Sequence, residues 1–281
     1  MKHFSPTSLF EERYGKTPDK TLDAAPPIPT TFNGTWETIL SHRSVRSFLE
    51  TPLPSGTLEW LIAAAQSAPS SCNLQLWSVV AVEDNARKAR LADCSGQQDH
   101  VKQAPLLLVF LADMAMLHDF SSNIKTNSEG IDYIDIFLMA VMDATLAAQN
   151  IVIAAESMKL GTVYCGSIRN HPEEVIRELN LPPHVFPMVG LSVGYPDPER
   201  LPRIKPRLSQ RAVLHRERYS NDNTLQAIAD YDVIMSSFYR AYREGVTTWS
   251  KQSLARLHGP ESLAGRDRLK EAILKQGILL K

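Results

Sequence analysis

Three short stretches of the chain hold residue types that could do chemistry. The segment His42-Arg43-Ser44-Val45-Arg46-Ser47-Phe48 gathers a histidine, two arginines and two hydroxyls. Arginine offers a rigid fork of charged donors, so such a cluster can seat a phosphate; the same composition also suits a solvated, charged turn. The segment Pro69-Ser70-Ser71-Cys72-Asn73-Leu74-Gln75-Leu76-Trp77 is rich in small hydroxyl and amide side chains. It could set N–H groups and amides around a heterocycle edge, or serve as an ordinary capping loop. Cys72 has no histidine close in sequence and reads as a small buried cysteine rather than a nucleophile. The third stretch runs from Arg200 to Arg218, with Arg203, Lys205, Arg207, Arg211 and Arg216 between, against Glu199 and Glu217. Such a run is a solvated face, an anion grip or a nucleic-acid contact. No aromatic residue interleaves it before Tyr219, and no recognised DNA- or RNA-binding motif accompanies it, which weighs against nucleic acid.

The rest of the chain sets limits on these readings. A formal net charge of −1 over 281 residues gives no global field toward nucleic acid or anionic lipid, so a bound anion needs a local cluster. Cys72, Cys94 and Cys165 are widely spaced and form no zinc-type pair, which fits a reducing compartment and no metal site. Met1–Phe10 has one lysine and lacks the apolar core of a signal peptide. The apolar stretch Ile131–Leu160 is broken by Asp132, Asp135, Asp143, Glu156 and Lys159, so it is not expected to span a membrane. A cytoplasmic protein is the expectation.

These segments must be positioned by regular elements, and the patterning predicts them. Residues 1–33, with Pro18, Pro26, Pro27 and Pro29, are expected to form an arm or partly disordered lead. Leu58, Leu61, Ile62 and Ala65 predict a helix over Thr57–Ser67. Leu76–Val82 and Pro105–Ala112 read as buried strands, and Thr162–Cys165 and Met188–Gly194 as two more strands. Ile134–Leu160 reads as a helix roughly 40 Å long at 1.5 Å per residue, with Gly161 as its capping glycine. It is apolar on several sides, which suggests a second body, most simply another subunit, to pack against. Pro172–Asn180, Leu225–Glu244 and Asp267–Gln276 complete the helices, the last two closed by Gly245 and Gly277. Helices and short strands alternate without a strict βαβ period, so the fold class is α+β.

In order, HRSVRSF, PSSCNLQLW, GQQDHV, VMDATLAAQNIVIAAESMKLG, TVYCGSIRN and IKPRLSQRAVLHRERY resemble the flavin reductase and major nitroreductase branch of the nitroreductase superfamily, over about Thr35 to Trp249. The resemblance implies a mixed or antiparallel sheet flanked by helices, and a homodimer with its long helix at the interface. It implies FMN as cofactor and NADPH or NADH as hydride donor, with small acceptors such as nitroaromatics, quinones and flavins served in a ping-pong cycle. Carried over by position, His42, Arg43 and Ser44 would bind the FMN phosphate and ribityl chain, and Lys205 and Arg207 would complete the phosphate grip. Ser70, Ser71 and Asn73 would line the ribityl and isoalloxazine edge. Arg46 and Gln98 would address the N1–C2=O2 side, and the N–H of Gly166 would face N5 beside Ser167.

The chain departs from the family pattern in three places. Residues 1–33 exceed the usual start, and Gly166-Ser167 stands where the family often has two glycines. The loop Arg243-Glu244-Gly245-Val246-Thr247-Thr248-Trp249 lacks the arginine cluster of NADPH-specific relatives. The expected organisation is an N-terminal arm (1–33), an FMN-binding core (34–219) and a C-terminal helical extension (220–281). Alternatives are a reduced-FMN enzyme of another branch, for dehalogenation or flavin breakdown, and a non-catalytic flavin or nucleic-acid binder.

Overall fold

A computed structural model describes residues 5–17, 20–21, 25–241 and 247–281. The chain divides into two units, one formed by Met1–Arg43 with Arg203–Ser262, the other by Ser44–Pro202 with Leu263–Lys281.

The larger unit is organised by β4 (Leu106–Asp113), whose uninterrupted apolar run is buried along nearly its whole length. Alternate side chains of a strand point to opposite faces, so a strand without polar residues requires cover on both sides. Leu106, Leu108 and Phe110 pack with Leu61 and Ala65 of α3 (Thr57–Gln66) and with Ala144, Ala147, Ala148 and Ile151 of α7 (Ile134–Ser157). Leu107, Val109 and Leu111 face the other way, onto Leu91 of α4 (Asn85–Cys94), Val101 of α5 (Asp99–Gln103) and Val175 of α8 (Pro172–Glu178). With β3 (Trp77–Val82), β5 (Gly161–Cys165) and β6 (Val185–Gly194), the sheet runs β3-β4-β6-β5 and every pairing is antiparallel. Helices α6 (Ala115–Asn123) and α11 (Leu269–Lys275) complete the unit. The α+β class and the antiparallel sheet flanked by helices are as expected.

Three boundaries differ from the sequence reading. Helix α7 ends at Ser157, and the left-handed residue that stops it is Lys159, with φ 67°, not Gly161. Gly161 instead opens β5, where a β-carbon would come within 2.7 Å of Val45, so its missing side chain serves a close approach. Strand β6 begins at Val185, three residues before the predicted start, and carries Pro187 opposite the register shift at Phe110/Leu111. Proline donates no ladder hydrogen bond and is tolerated at such an irregularity. The stretch expected as one helix over Asp267–Gln276 is a short turn at Arg266–Arg268 followed by α11, and Gly277 closes it with φ 83° as anticipated. Helix α7 is long and apolar enough to cross a membrane, but nine of its residues are buried against α3 and the sheet, in the manner of a core helix.

The smaller unit contains α1 (Pro6–Tyr14), α2 (Gly34–Leu40), α9 (Thr224–Arg240) and α10 (Trp249–Arg256), with a ribbon of β1 (Lys16–Thr17) and β2 (Lys20–Thr21). Within residues 1–33, expected as an arm or partly disordered lead, Pro6–Tyr14 form a helix that the patterning did not predict. The Ser5 hydroxyl accepts from the Ser8 N–H, Pro6 occupies the first helical turn, and Leu9 and Arg13 are buried. Gly15 ends the helix at φ 78°, and a β-carbon there would collide with Ile234 of α9 at 2.4 Å. Ile234, Tyr231 and Met235 form the unit's apolar centre with Leu208, Phe238 and Trp249. Helix α9 stops at Arg240, short of the predicted Glu244; Arg243, Glu244, Gly245 and Val246 lie outside the described residues.

Candidate functional site

In the larger unit, the arginine-serine segment is laid along the sheet edge. The Val45 N–H donates to the Thr162 carbonyl at 2.9 Å, and Ser44 bridges Thr162 of β5. Further along, the Leu49 N–H donates to the Tyr195 carbonyl, and the Ser47 hydroxyl donates to Asp197 at 3.1 Å. Val45 and Phe48 are buried, whereas Arg46 is exposed and Ser44 and Ser47 are half-buried. Ser44, Arg46 and Ser47 line an open cavity of about 350 Å³ together with Asp99, Gln103, Arg200 and Pro202. Two guanidinium groups, hydroxyls and an amide against one carboxylate make a donor-rich lining, which fits an oxygen-rich or anionic ligand such as FMN.

Beneath this segment, His100 is buried with Nδ1 3.2 Å from the Ser192 Oγ. Burial, reinforced by the positive charge of Arg46, brings its pKa down to about 4. His100 is therefore neutral near pH 7, and adds no charge beside Arg46. Gln98 stands at the start of α5 with its amide donating to the Gly96 carbonyl at 3.3 Å. Gly96 lies between that amide and Asn170, so Gln98 is brought near the end of the turn that begins at Gly166. The turn Gly166–Arg169 continues directly from β5. Its Ser167 Oγ is 3.2 Å from the Cys165 Sγ, and Arg169 donates to the Met188 carbonyl.

The loop holding Ser70, Ser71 and Asn73 is backbone-strained and charge-anchored. Cys72, Asn73 and Gln75 all take left-handed φ values, between 51° and 56°. Asp143 of α7, 1% exposed, accepts from the Ser71 N–H at 2.8 Å and the Leu76 N–H at 3.2 Å, clasping both ends of the bend. The sequence reading missed Asp143, taking it as an interruption of an apolar helix. An acid amid alanines was the available signal, since a buried carboxylate needs donors. Cys72 is exposed, against the expectation of a buried thiol, because its left-handed backbone turns within the bend.

The smaller unit carries His42, Arg43, Lys205 and Arg207. His42 follows α2, and the Arg43 Nε donates to the Ser41 carbonyl at 3.4 Å. Lys205 and Arg207 are exposed; the Arg207 guanidinium lies over its own chain, 3.1 Å from the Lys205 carbonyl, and the Lys205 Nζ is 6.0 Å from the Tyr239 ring centre. Arg13 of α1 joins the two segments. It donates to the carbonyls of Leu40 and His42, each at 2.8 Å, and to that of Lys205 at 3.2 Å, while its own carbonyl accepts from the Arg207 N–H at 2.8 Å. The Tyr231 hydroxyl donates to the Pro206 carbonyl at 2.7 Å, and burial pushes that phenol up to about 12.

Comparison with known proteins gives this geometry its context. Residues 39–195 match the Nitroreductase family and residues 205–281 match the Nitroreductase family C-terminal domain. An FMN reductase [NAD(P)H] of Bacillus subtilis is 38% identical over 256 residues, which cover 86% of this chain and 96% of the relative. The solved NfrA1 nitroreductase of B. subtilis superposes with a TM-score of 0.83 at 34% identity, covering 88% of this chain and all of the other. The NADPH:FMN oxidoreductase of Vibrio harveyi, solved in complex with NAD+, gives a TM-score of 0.78 at 32% identity, over 89% of this chain and all of the other. The chain belongs to the nitroreductase family.

Proposed function

We propose that the protein is an FMN-dependent oxidoreductase that uses NADH or NADPH to reduce small acceptors such as nitroaromatics, quinones or flavins. The observation that carries this reading is the donor-rich cavity at Ser44 and Arg46, in a chain that belongs to the nitroreductase family. When bound, FMN supplies the hydride and electron chemistry, and the protein supplies position and field. Arg46 is a fixed cation assigned to the N1–C2=O2 side. There it would favour added negative charge on the bound ring over the neutral form. Gln98 would donate on the same side, and the Gly166 N–H, at the head of the turn with Ser167, is assigned to the N5 edge. Ser70, Ser71 and Asn73, on a loop held by Asp143, would line the ring and ribityl edge. His42, Arg43, Ser44, Lys205 and Arg207 are assigned to the phosphate end, which accounts for the local basic run without nucleic acid.

The same reading extends to assembly and place. Ile134, Leu138, Met142 and Leu146 of α7 recur every fourth residue and are each between 43% and 50% exposed. An apolar stripe of that kind along the first half of α7 supports a second copy of the chain as its cover, in a cytoplasmic homodimer. The test of the function is direct. Purified protein is expected to be yellow, to release FMN near one equivalent per chain on heating, and to bleach when NADH or NADPH is added without oxygen. Arg46→Ala should keep the fold and slow the bleaching. A colourless protein that takes up no FMN overturns the proposal.

A further inference from the structure

We infer that Arg13, on the N-terminal helix α1, is a positioning residue for the phosphate end of the flavin site. The inference rests on the assignment of His42, Lys205 and Arg207 to that end. The segment Lys205-Pro206-Arg207 is not part of a helix or strand, so no ladder of backbone bonds holds it. It is held instead by two side chains and a single backbone bond, all from residues distant in sequence. Arg13 donates to the Lys205 carbonyl, Tyr231 donates to the Pro206 carbonyl, and the Arg13 carbonyl receives the Arg207 N–H. The same guanidinium donates to Leu40 and His42 and so ties the end of α2 to this segment.

The planar fork suits this task in a way a lysine ammonium does not. Arginine presents five donors in fixed directions, so one residue can satisfy three carbonyls on two segments. Arg13 is itself 8% exposed and therefore behind the surface that Lys205 and Arg207 present. Its role is to set the spacing between the candidate phosphate ligands, not to touch the ligand. Helix α1 precedes the stretch that matches the family, which begins at residue 39. The brace is thus supplied by this chain's own N-terminal segment.

The experiment compares two flavins that differ only in the phosphate. Affinities for FMN and riboflavin are measured by fluorescence titration of the full-length apoprotein, in wild type, Arg13→Gln, Tyr231→Phe and Arg207→Ala. If Arg13 positions the phosphate ligands, Arg13→Gln weakens FMN on the order of tenfold and leaves riboflavin within about twofold, since loss of its hydrogen bonds acts at the phosphate end alone. Tyr231→Phe, which removes only the Pro206 contact, shifts FMN in the same selective way by a smaller factor and stands in should Arg13→Gln not fold. Parallel weakening of both flavins, or no change in either, overturns the inference. Arg207→Ala reports on the underlying assignment. If it fails to separate FMN from riboflavin, the phosphate site itself is misplaced and the inference falls with it; if it separates them and both brace variants do not, the inference alone falls.

Discussion

Two irregular segments of the molecule are each tied down by a buried ionisable side chain, of opposite type. Around residues 70–77 the anchor is a carboxylate, Asp143, which gathers N–H groups. Around residues 205–207 it is a guanidinium, Arg13, which gathers carbonyls. The carboxylate sits midway along α7, whose neighbouring alanines are fully buried between α3 and the sheet, so its position is set by the core. The guanidinium sits near the end of a nine-residue helix held by Leu9 and by the close approach of Gly15 to Ile234. A carboxylate inside the core therefore governs stability as well as the loop, whereas the arginine governs the spacing of two surface segments.

The largest expected effect falls on the carboxylate. Asp143→Ala leaves two N–H groups without their acceptor, in a loop already carrying three left-handed residues, and should cost about 2–5 kcal/mol of stability. Thermal or urea unfolding measures it, and affinity for FMN and riboflavin should fall together. A loss below ~1 kcal/mol would mean that the bend holds itself through its own turns, and the parallel with Arg13 would dissolve. The next effect is at the surface that Arg13 supports. Arg207→Ala should weaken FMN by ~1.5–3 kcal/mol, the value of a charged hydrogen bond to phosphate, while the exposed Arg218→Ala stays within about 0.5 kcal/mol. Equal affinities in the two variants would return the whole basic run to the status of a solvated face.

The smallest effect is expected where a single arginine has an acid beside it. Arg243 is followed directly by Glu244, so discrimination of the NADPH 2′-phosphate should amount to ~0.5–1 kcal/mol, a few-fold in kcat/KM over NADH. Measuring both donors against one acceptor decides it. A hundredfold advantage for NADPH would show that cations elsewhere read the phosphate, with Arg169 and the basic run the first candidates.

Much of this was legible in the chain. Short, mainly apolar runs identified all four strands of the main sheet, most plainly β4, which is covered on both faces and carries no polar residue before Asp113. The long helix was equally plain, but its stop was misplaced, since the glycine that looked like a cap is needed for packing on Val45 and a lysine takes the left-handed turn. Helix α1 was overlooked beneath a proline-rich composition, although Ser5 and Pro6 form an ordinary helix start. The partners of Asp143 and Arg13 were not legible for a different reason. Each meets backbone groups far away in sequence, and a backbone group has no residue type for a motif to record.

The bonds made by Arg13 also set an order of events during synthesis. The Leu40 and His42 carbonyls lie 27 and 29 residues downstream, but the Lys205 carbonyl lies 192 residues downstream. At 5–20 residues per second that interval is roughly 10–40 s, far longer than a short helix takes to form or fray. Tyr231 and Ile234, on which the segment and the end of α1 also depend, emerge later still. Helix α1 thus leaves the ribosome well before the segments that secure it, and the nascent chain carries an arginine whose final partners have yet to be made.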